Sequence, residues 1–463
     1  MFLLVLVSIS PFFGCGSGPG PSPTPTTSFQ VVVFSDLHFN PFYDTSLFPA
    51  LQSADPSQWA AIFQGSAITT PSAWDNDTNY PLLVLALSGI KQNLGSSPLI
   101  LYTGDLIGHN FSQTFYQLNG NALPPDPTAV AAMQAFTDKT VAFVAAQIRA
   151  NIGNIPALFA VGNIDSYTGE GPDSVFLSNN AETFYTQFLG GTADQTTFLS
   201  TFKAGGYYSA APLGTKLLVI GLNTNPFSPL VQGNIPPNNN DAPVDAELTW
   251  LDSTLASAKA SGQHVWLLMH VPPGAVTVTT ASNADSNGHI TVATASMMWE
   301  QNYQESFLTI LSKYPGLITL TLAAHTHMDE FRILSQDIVL EEAPAISPVF
   351  GNDPAFKIFT ITNDTLSPID YRSLNYDLAT LPPQFSSFYT FSSAYAMQGP
   401  LNAALQRLYP FILTSYPRQA LFTGLYLSGH NYANPITSTT WPIFACGIGQ
   451  MDQTDFVKCV NSF

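Results

Sequence analysis

A chain of 463 residues has room for one large α/β domain with an appendage, or for two domains, and nothing in its length limits the core. Hydrophobic residues make up 45% and charged residues only 10%, so the chain folds as a globule whose surface is finished by uncharged polar side chains and proline, as suits a protein outside the cytoplasm. The 31 acidic against 13 basic side chains give a formal charge of −18 with no basic run, which excludes electrostatic binding of nucleic acid or of an anionic membrane.

Residues 1–10 are apolar and too few to span a bilayer, and they read as the core of a secretory signal. Cys15, between Gly14 and a Gly, Pro, Ser and Thr tract at 16–27, is similar to the lipidated cysteine of a bacterial lipoprotein. An ordinary cleaved signal fits as well. The segment 1–28 is therefore expected to be a leader with a tether, and the protein to be secreted or anchored through Cys15.

A β-branched run at 29–34 predicts a strand that stops at Ser35-Asp36-Leu37-His38. Residues 40–79, rich in Pro, Asp, Asn and Ser, predict a long surface excursion that could rim a site. A helix at 81–92 leads to a strand at 99–102 ending in Thr103-Gly104-Asp105, and a helix at 128–150 leads to a strand at 157–161 ending in Gly162-Asn163. The same alternation gives a strand at 216–222, a helix at 245–260 and a strand at 265–269 that ends in His270, followed by a loop at 274–288. A helix at 300–313 and strands at 317–322, 338–341 and 356–361 complete it. Alternating strands and helices predict a layered α/β domain over 29–375. From 376 to 463 the aromatic-rich sequence predicts a smaller helical region. Within it, Cys446 and Cys459 are expected to form a disulfide, whose short loop is worth about 3 kcal/mol.

Each strand that stops at Asp36, Asp105, Asn163 or His270 delivers a metal-ligating side chain at its carboxyl end, where α/β sheets place their sites. His325 and His327 follow the strand at 317–322 with one residue between them. On an extended backbone they would leave on opposite sides, and so would serve two adjacent ions rather than one. An isolated Asp after a strand more often caps a helix, and an isolated His is more often an ordinary polar residue. Five of the eight histidines, His38, His109, His270, His325 and His327, fall in motifs that follow one another in this order, and His264, His289 and His430, outside any motif, are read as ordinary.

Asp36-Leu37-His38, Gly104-Asp105, Gly162-Asn163, His270 and His325-Thr326-His327 together resemble the calcineurin-like metallophosphoesterases. The stretches SDLHFNPFYD (35–44), GGYYS (205–209), HVPPG (270–274) and HTHMDEF (325–331) resemble the acid sphingomyelinase-like branch of that family. The resemblance implies a four-layer sandwich of two sheets flanked by helices. It also implies two divalent metal ions, zinc first, with manganese or iron also fitting the ligand set. Asp36, His38 and His327 would hold one ion, and Asn163, His270 and His325 the other, with Asp105 bridging through its two carboxylate oxygens. A metal-bridging hydroxide would attack a phosphodiester carried by a phosphorylated small molecule or lipid.

The chain departs from the family twice. Ala324 replaces a glycine, a change of little chemical meaning. Ile164 replaces the histidine that follows the asparagine, so protonation of the leaving group falls to His109, which Asp165 could orient unless it only makes a turn. The loss also motivates two alternatives: hydrolysis of a phosphoanhydride, whose leaving group needs less help, or binding of phosphorylated ligands without turnover. Tyr207 and Tyr208 could line a cleft or pack in a strand.

Overall fold

The computed structural model describes residues 27–169, 171–229, 242–430 and 434–463, so the leader and Cys15 lie outside the described residues. Strand β1 (Ser28–Phe34) runs parallel to β2 (Ile100–Tyr102), and β2 to β3 (Ala157–Phe159). A second sheet then forms from β4 (Tyr208–Ala210), β5 (Leu217–Gly221), β6 (His264–Leu268), β7 (Ile318–Ala323), β8 (Phe331–Ile333) and β9 (Val339–Glu342), in the order β4-β5-β6-β7-β9-β8. The chain returns with β10 (Ala355–Thr362), β11 (Pro368–Asn375) and β12 (Ser386–Thr390), giving the first sheet the order β12-β11-β10-β1-β2-β3. Parallel neighbours need crossovers, and helices supply them: Tyr80–Asn93 before β2, Pro127–Ile152 before β3, Ala242–Ala260 before β6 and Gln301–Ser312 before β7. Two of these start where the sequence says they should. Asn79 and Asp126 accept the backbone N–H groups of Leu82 and Ala129, each with proline in the first turn.

The sheets pack face to face with helices outside them. Strand β6 shows why: Trp266 and Leu268 point into the core between the sheets, while Val265 and Leu267 meet the helices on the other face. The Trp266 indole also donates to the Leu366 carbonyl in the turn between β10 and β11, tying one sheet to the other at 2.8 Å.

Three elements differ from expectation. Residues 40–79 hold short helices, Phe48–Ser53 and Trp59–Gln64, whose Phe48, Trp59 and Phe63 pack on Phe136 or Phe143 of the long helix. The surrounding prolines and polar residues masked these few large side chains, and Trp59 is wholly buried. The expected loop at 274–288 contains a helix, Thr277–Ser282. The region after 376 is mainly helical, but β12 lies within it and pairs with β11. Its last two helices, Trp441–Gly449 and Gln453–Val460, are joined by the Cys446–Cys459 disulfide.

A buried ionic seam also binds the sheets. Lys357 of β10 lies 2.8 Å from Asp329 and 3.0 Å from Glu341 of β9, and Arg332 of β8 pairs with Glu342 at 2.5 Å. Arg332 donates as well to the carbonyls of Pro273 and Ala275, and Thr326 donates to Glu342, so the seam grips the chain just beyond His270 and between His325 and His327. Breaking such a pair strands a buried charge. Burial, then the charge of Glu342, pushes the Glu330 carboxyl from 4.5 up to about 8, so this group favours the folded state most at low pH and loses that effect as pH rises through this window. Glu330→Gln is therefore expected to gain urea stability over wild type more at pH 8 than at pH 5. A difference that does not widen with pH would show that Glu330 is not protonated in the fold. Replacing Cys446 and Cys459 together by serine is expected to lower stability by about 2–4 kcal/mol, read from denaturant midpoints.

Candidate metal centre

The carboxyl ends of β1, β2, β3, β6 and β7 converge, and every candidate ligand lies within four residues of one of them. Asp36, His38, Asp105, His325 and His327 all have positive φ, between 43° and 74°. The reading of His325 and His327 as alternate residues of an extended strand is therefore wrong in its geometry, because β7 has ended and a turn carries them. They still diverge as that reading requires. His325 Nδ1 lies 3.0 Å from Asn163 Oδ1, and His327 Nε2 lies 3.0 Å from His38 Nε2.

Two clusters result. In the first, Asp36 Oδ1 is 3.6 Å from His38 Nε2 and 3.5 Å from His327 Nε2. In the second, Asn163 Oδ1 is 3.0 Å from His270 Nε2 as well as from His325 Nδ1. Asp105 Oδ2 joins them, 3.5 Å from His38 Nε2 and 3.1 Å from His270 Nε2. Donor atoms around one metal with bonds of about 2.1 Å sit about 3.0–3.4 Å apart, and the separations in both clusters, 3.0–3.6 Å, are close to that spacing. Asp105 Oδ1 accepts the Ile164 backbone N–H at 2.8 Å, so Oδ2 is the oxygen that faces both imidazoles.

The chemistry of the donors fits divalent cations. Asp36 is fully buried, and neither of its carboxylate oxygens has a hydrogen-bond partner, an arrangement that demands positive charge. Burial is the largest single influence on His38 and His270 and lowers their pKa, but the charge of Asp105 together with Asp36 and the hydrogen bonds around them outweighs it and raises each to about 9. Burial and the charge of His270 bring His325 down to about 3. The tautomers are set from outside, since His38 Nδ1 donates to the Ile107 carbonyl and His270 Nδ1 to that of Thr103, leaving both Nε2 atoms facing inward.

Backbone packing fixes the shared carboxylate. A Cβ on Gly162 would collide with the Asp105 carboxylate, and one on Gly104, at φ 110°, would press within 2.7 Å of His270 Nδ1, so both glycines are needed for close approach. Asp165 neither orients His109 nor makes only a turn. Its carboxylate accepts the N–H groups of Asp105, Leu106 and Gly162 at 2.7–3.0 Å and pins the two loops together. Asp77 is the residue that holds His109, accepting from its ring Nδ1 at 2.8 Å and from its backbone N–H at 2.7 Å. No signal in the sequence distinguished Asp77 from other acidic residues of the 40–79 excursion. The His109 ring stacks on His38 with centroids 4.1 Å apart, placing it at the edge of the first cluster.

A cavity of about 870 Å³ opens beside His325, walled by Val276, Met298, Met328 and Phe350 and rimmed by Trp74 and His430. His430, read as ordinary, thus belongs to the cleft, where it stacks on Trp74 with centroids 4.1 Å apart. Tyr208 does not line it: its hydroxyl bonds the Phe159 backbone in the core, and Tyr207 packs against Trp250. Asp165→Ala would leave three backbone N–H groups unpaired beside Asp105. It is expected to destabilise the fold by about 2–5 kcal/mol and to lower bound metal, read by elemental analysis; unchanged metal content would show that Asp105 is positioned by other contacts.

No family model matches the chain. Over 448 residues it is 22% identical to cyclic GMP-AMP phosphodiesterase SMPDL3A of Rattus norvegicus, covering 92% of this chain and 90% of the relative. Over 358 residues it is 26% identical to sphingomyelinase phosphodiesterase D of Dictyostelium discoideum, covering 72% and 70%. Among solved structures, a dimetal phosphatase from Danio rerio superposes with a TM-score of 0.41 at 12% identity, over 78% of this chain and 98% of that one. The homologues of this chain are acid sphingomyelinase-like phosphodiesterases.

Proposed function

We propose that the chain is a metal-dependent phosphodiesterase, in which Asp36, His38 and His327 would hold one divalent cation, Asn163, His270 and His325 a second, and Asp105 would serve both. The observation that carries this reading is the buried carboxylate of Asp36, whose oxygens have no hydrogen-bond partner and which clusters with Asp105 and His270. When bound, two such cations would polarise a phosphate and supply hydroxide at neutral pH. The chain does the rest. Asn163 is neutral, so only Asp36 and Asp105 offset the cations and positive charge remains for the substrate. Asp77 holds Nδ1 of His109, leaving Nε2 to carry a proton to the leaving oxygen. Zinc suits the set best as a borderline ion, and manganese or iron would also be accommodated.

The substrate we favour is a diester with one phosphorus and one apolar limb, as the apolar cavity beside His325 supports. Among the described residues no Lys or Arg lines that cavity, so the second phosphate of a nucleotide or polyphosphate would find no counter-charge from them, which disfavours the phosphoanhydride reading. Tyr426 and Leu427 contribute to its wall, so the segment from 376 onward works with the preceding domain rather than beside it. The disulfide supports a site of action outside the cytoplasm. No helix among the described residues is long and apolar enough to cross a membrane.

Elemental analysis together with hydrolysis of bis-p-nitrophenyl phosphate tests the proposal. Wild type is expected to carry near two metals per chain and to turn the ester over, and Asp105→Asn to lose activity. A metal-supplemented wild type that binds phosphate analogues yet hydrolyses nothing would turn the assignment to a binding protein. His109→Ala is expected to slow alkyl diesters by about 10²–10⁴, the usual worth of a general acid, and p-nitrophenyl esters far less. Equal losses on both would remove His109 from that role.

A further inference from the structure

A second cavity, of about 300 Å³, lies on the His109 side of the centre, lined by His109 and Ile164 with Ser112, Gln113, Ser166 and Thr168 among its walls. Its chemistry contrasts with that of the larger cavity. Side chains bearing hydroxyl and amide groups line it, and among the described residues no Asp, Glu, Lys or Arg does. At the lower end of ligand-sized volumes, it suits a compact occupant. His109 is the one histidine in its lining, and Ile164, directly after Asn163, offers no proton, so a proton can reach an occupant's oxygen from a single wall. The larger cavity includes His325 but not His109.

We propose, building on the phosphodiesterase reading, that this pocket receives the alcohol that leaves, as a compact uncharged hydroxylated group of the glycerol or sugar kind, while the apolar limb stays on phosphorus in the cavity beside His325. The step balances simply. Water adds its oxygen to phosphorus, the bond from phosphorus to the hydroxylated limb's oxygen breaks, and that oxygen takes the proton carried by His109 Nε2. The proton released by the water restores His109. Asp77 fixes the ring, which lines the pocket, by holding its other nitrogen. The structure therefore assigns a direction of cleavage: the apolar phosphomonoester and the free polyol are the products. A charged leaving limb, whether a second phosphate or a quaternary ammonium, would find no ionic partner among the described residues of these walls.

The test uses the metal-supplemented full chain and a mixed diester of phosphate with decanol and glycerol, its products read by mass spectrometry in ¹⁸O-labelled water. Decyl phosphate carrying the label, with free glycerol, is the expected result. Decanol with labelled glycerol phosphate would overturn the assignment while leaving the phosphodiesterase reading intact. Hydrolysis of bis-p-nitrophenyl phosphate, measured alongside, separates the two claims, since a chain inert toward both substrates refutes both. Ser112→Phe, which fills the pocket, supplies a second readout. It is expected to lower kcat/KM for the glyceryl ester about tenfold more than for the methyl ester of the same decyl phosphate. Equal losses on the two esters would refute a role for the pocket in holding the leaving limb.

Discussion

One carboxylate oxygen organises the centre. Asp105 Oδ2 sits between the imidazoles of His38 and His270, each within 3.5 Å, and every other candidate donor is arranged on one side of it or the other. An ionised oxygen so buried would be intolerable without compensation, and the chain compensates from several directions. Ile164 N–H occupies the second oxygen, Asp165 fixes the backbone on which the residue stands, and the neighbouring imidazoles hold its pKa well below the ordinary value against the opposing effect of burial. Moving this group by a fraction of an ångström would unbalance both clusters at once.

The layered architecture makes that placement possible. The two sheets contribute to the centre from opposite sides of a common core: Asp36, Asp105 and Asn163 follow strands of the first sheet, and His270, His325 and His327 follow strands of the second. The centre is only as well defined as the registration of the sheets. Trp266 fixes that registration near the far ends of the strands, and the seam of Lys357, Asp329, Glu341, Arg332 and Glu342 fixes it near the site. Through Arg332 the seam reaches the loop after His270, and through Glu342 the residue between His325 and His327. Fold stability and ligand geometry therefore share the same contacts.

Much of this was legible in the chain. Strands ending at Asp36, Asp105, Asn163, His270 and the His325–His327 pair stood out because apolar runs stop abruptly at a polar residue, and the structure brings all seven candidates together. What escaped the reading has physical causes. Strands β4, β8 and β12 are short or poorly buried, so their periodicity is too brief to see. The hold of Asp77 on His109, and of Asp165 on the Asp105 loop, depends on long-range hydrogen bonds that no local pattern announces. The two helices within 40–79 were hidden because a few buried aromatics, chiefly Trp59 and Phe63, outweigh the many polar residues around them.

The left-handed backbone at five of the seven candidate ligands carries a further implication. Among residues with a side chain, Asp, Asn and His tolerate this conformation best, and it is costly for most others. These are also the short-armed oxygen and nitrogen donors from which the whole site is built. Backbone and inner coordination shell thus favour the same small alphabet, which leaves little room for cysteine at these turns. The fold itself, before any selection for catalysis, steers the centre away from thiolate-seeking ions such as copper(I) and toward harder or borderline divalent ones.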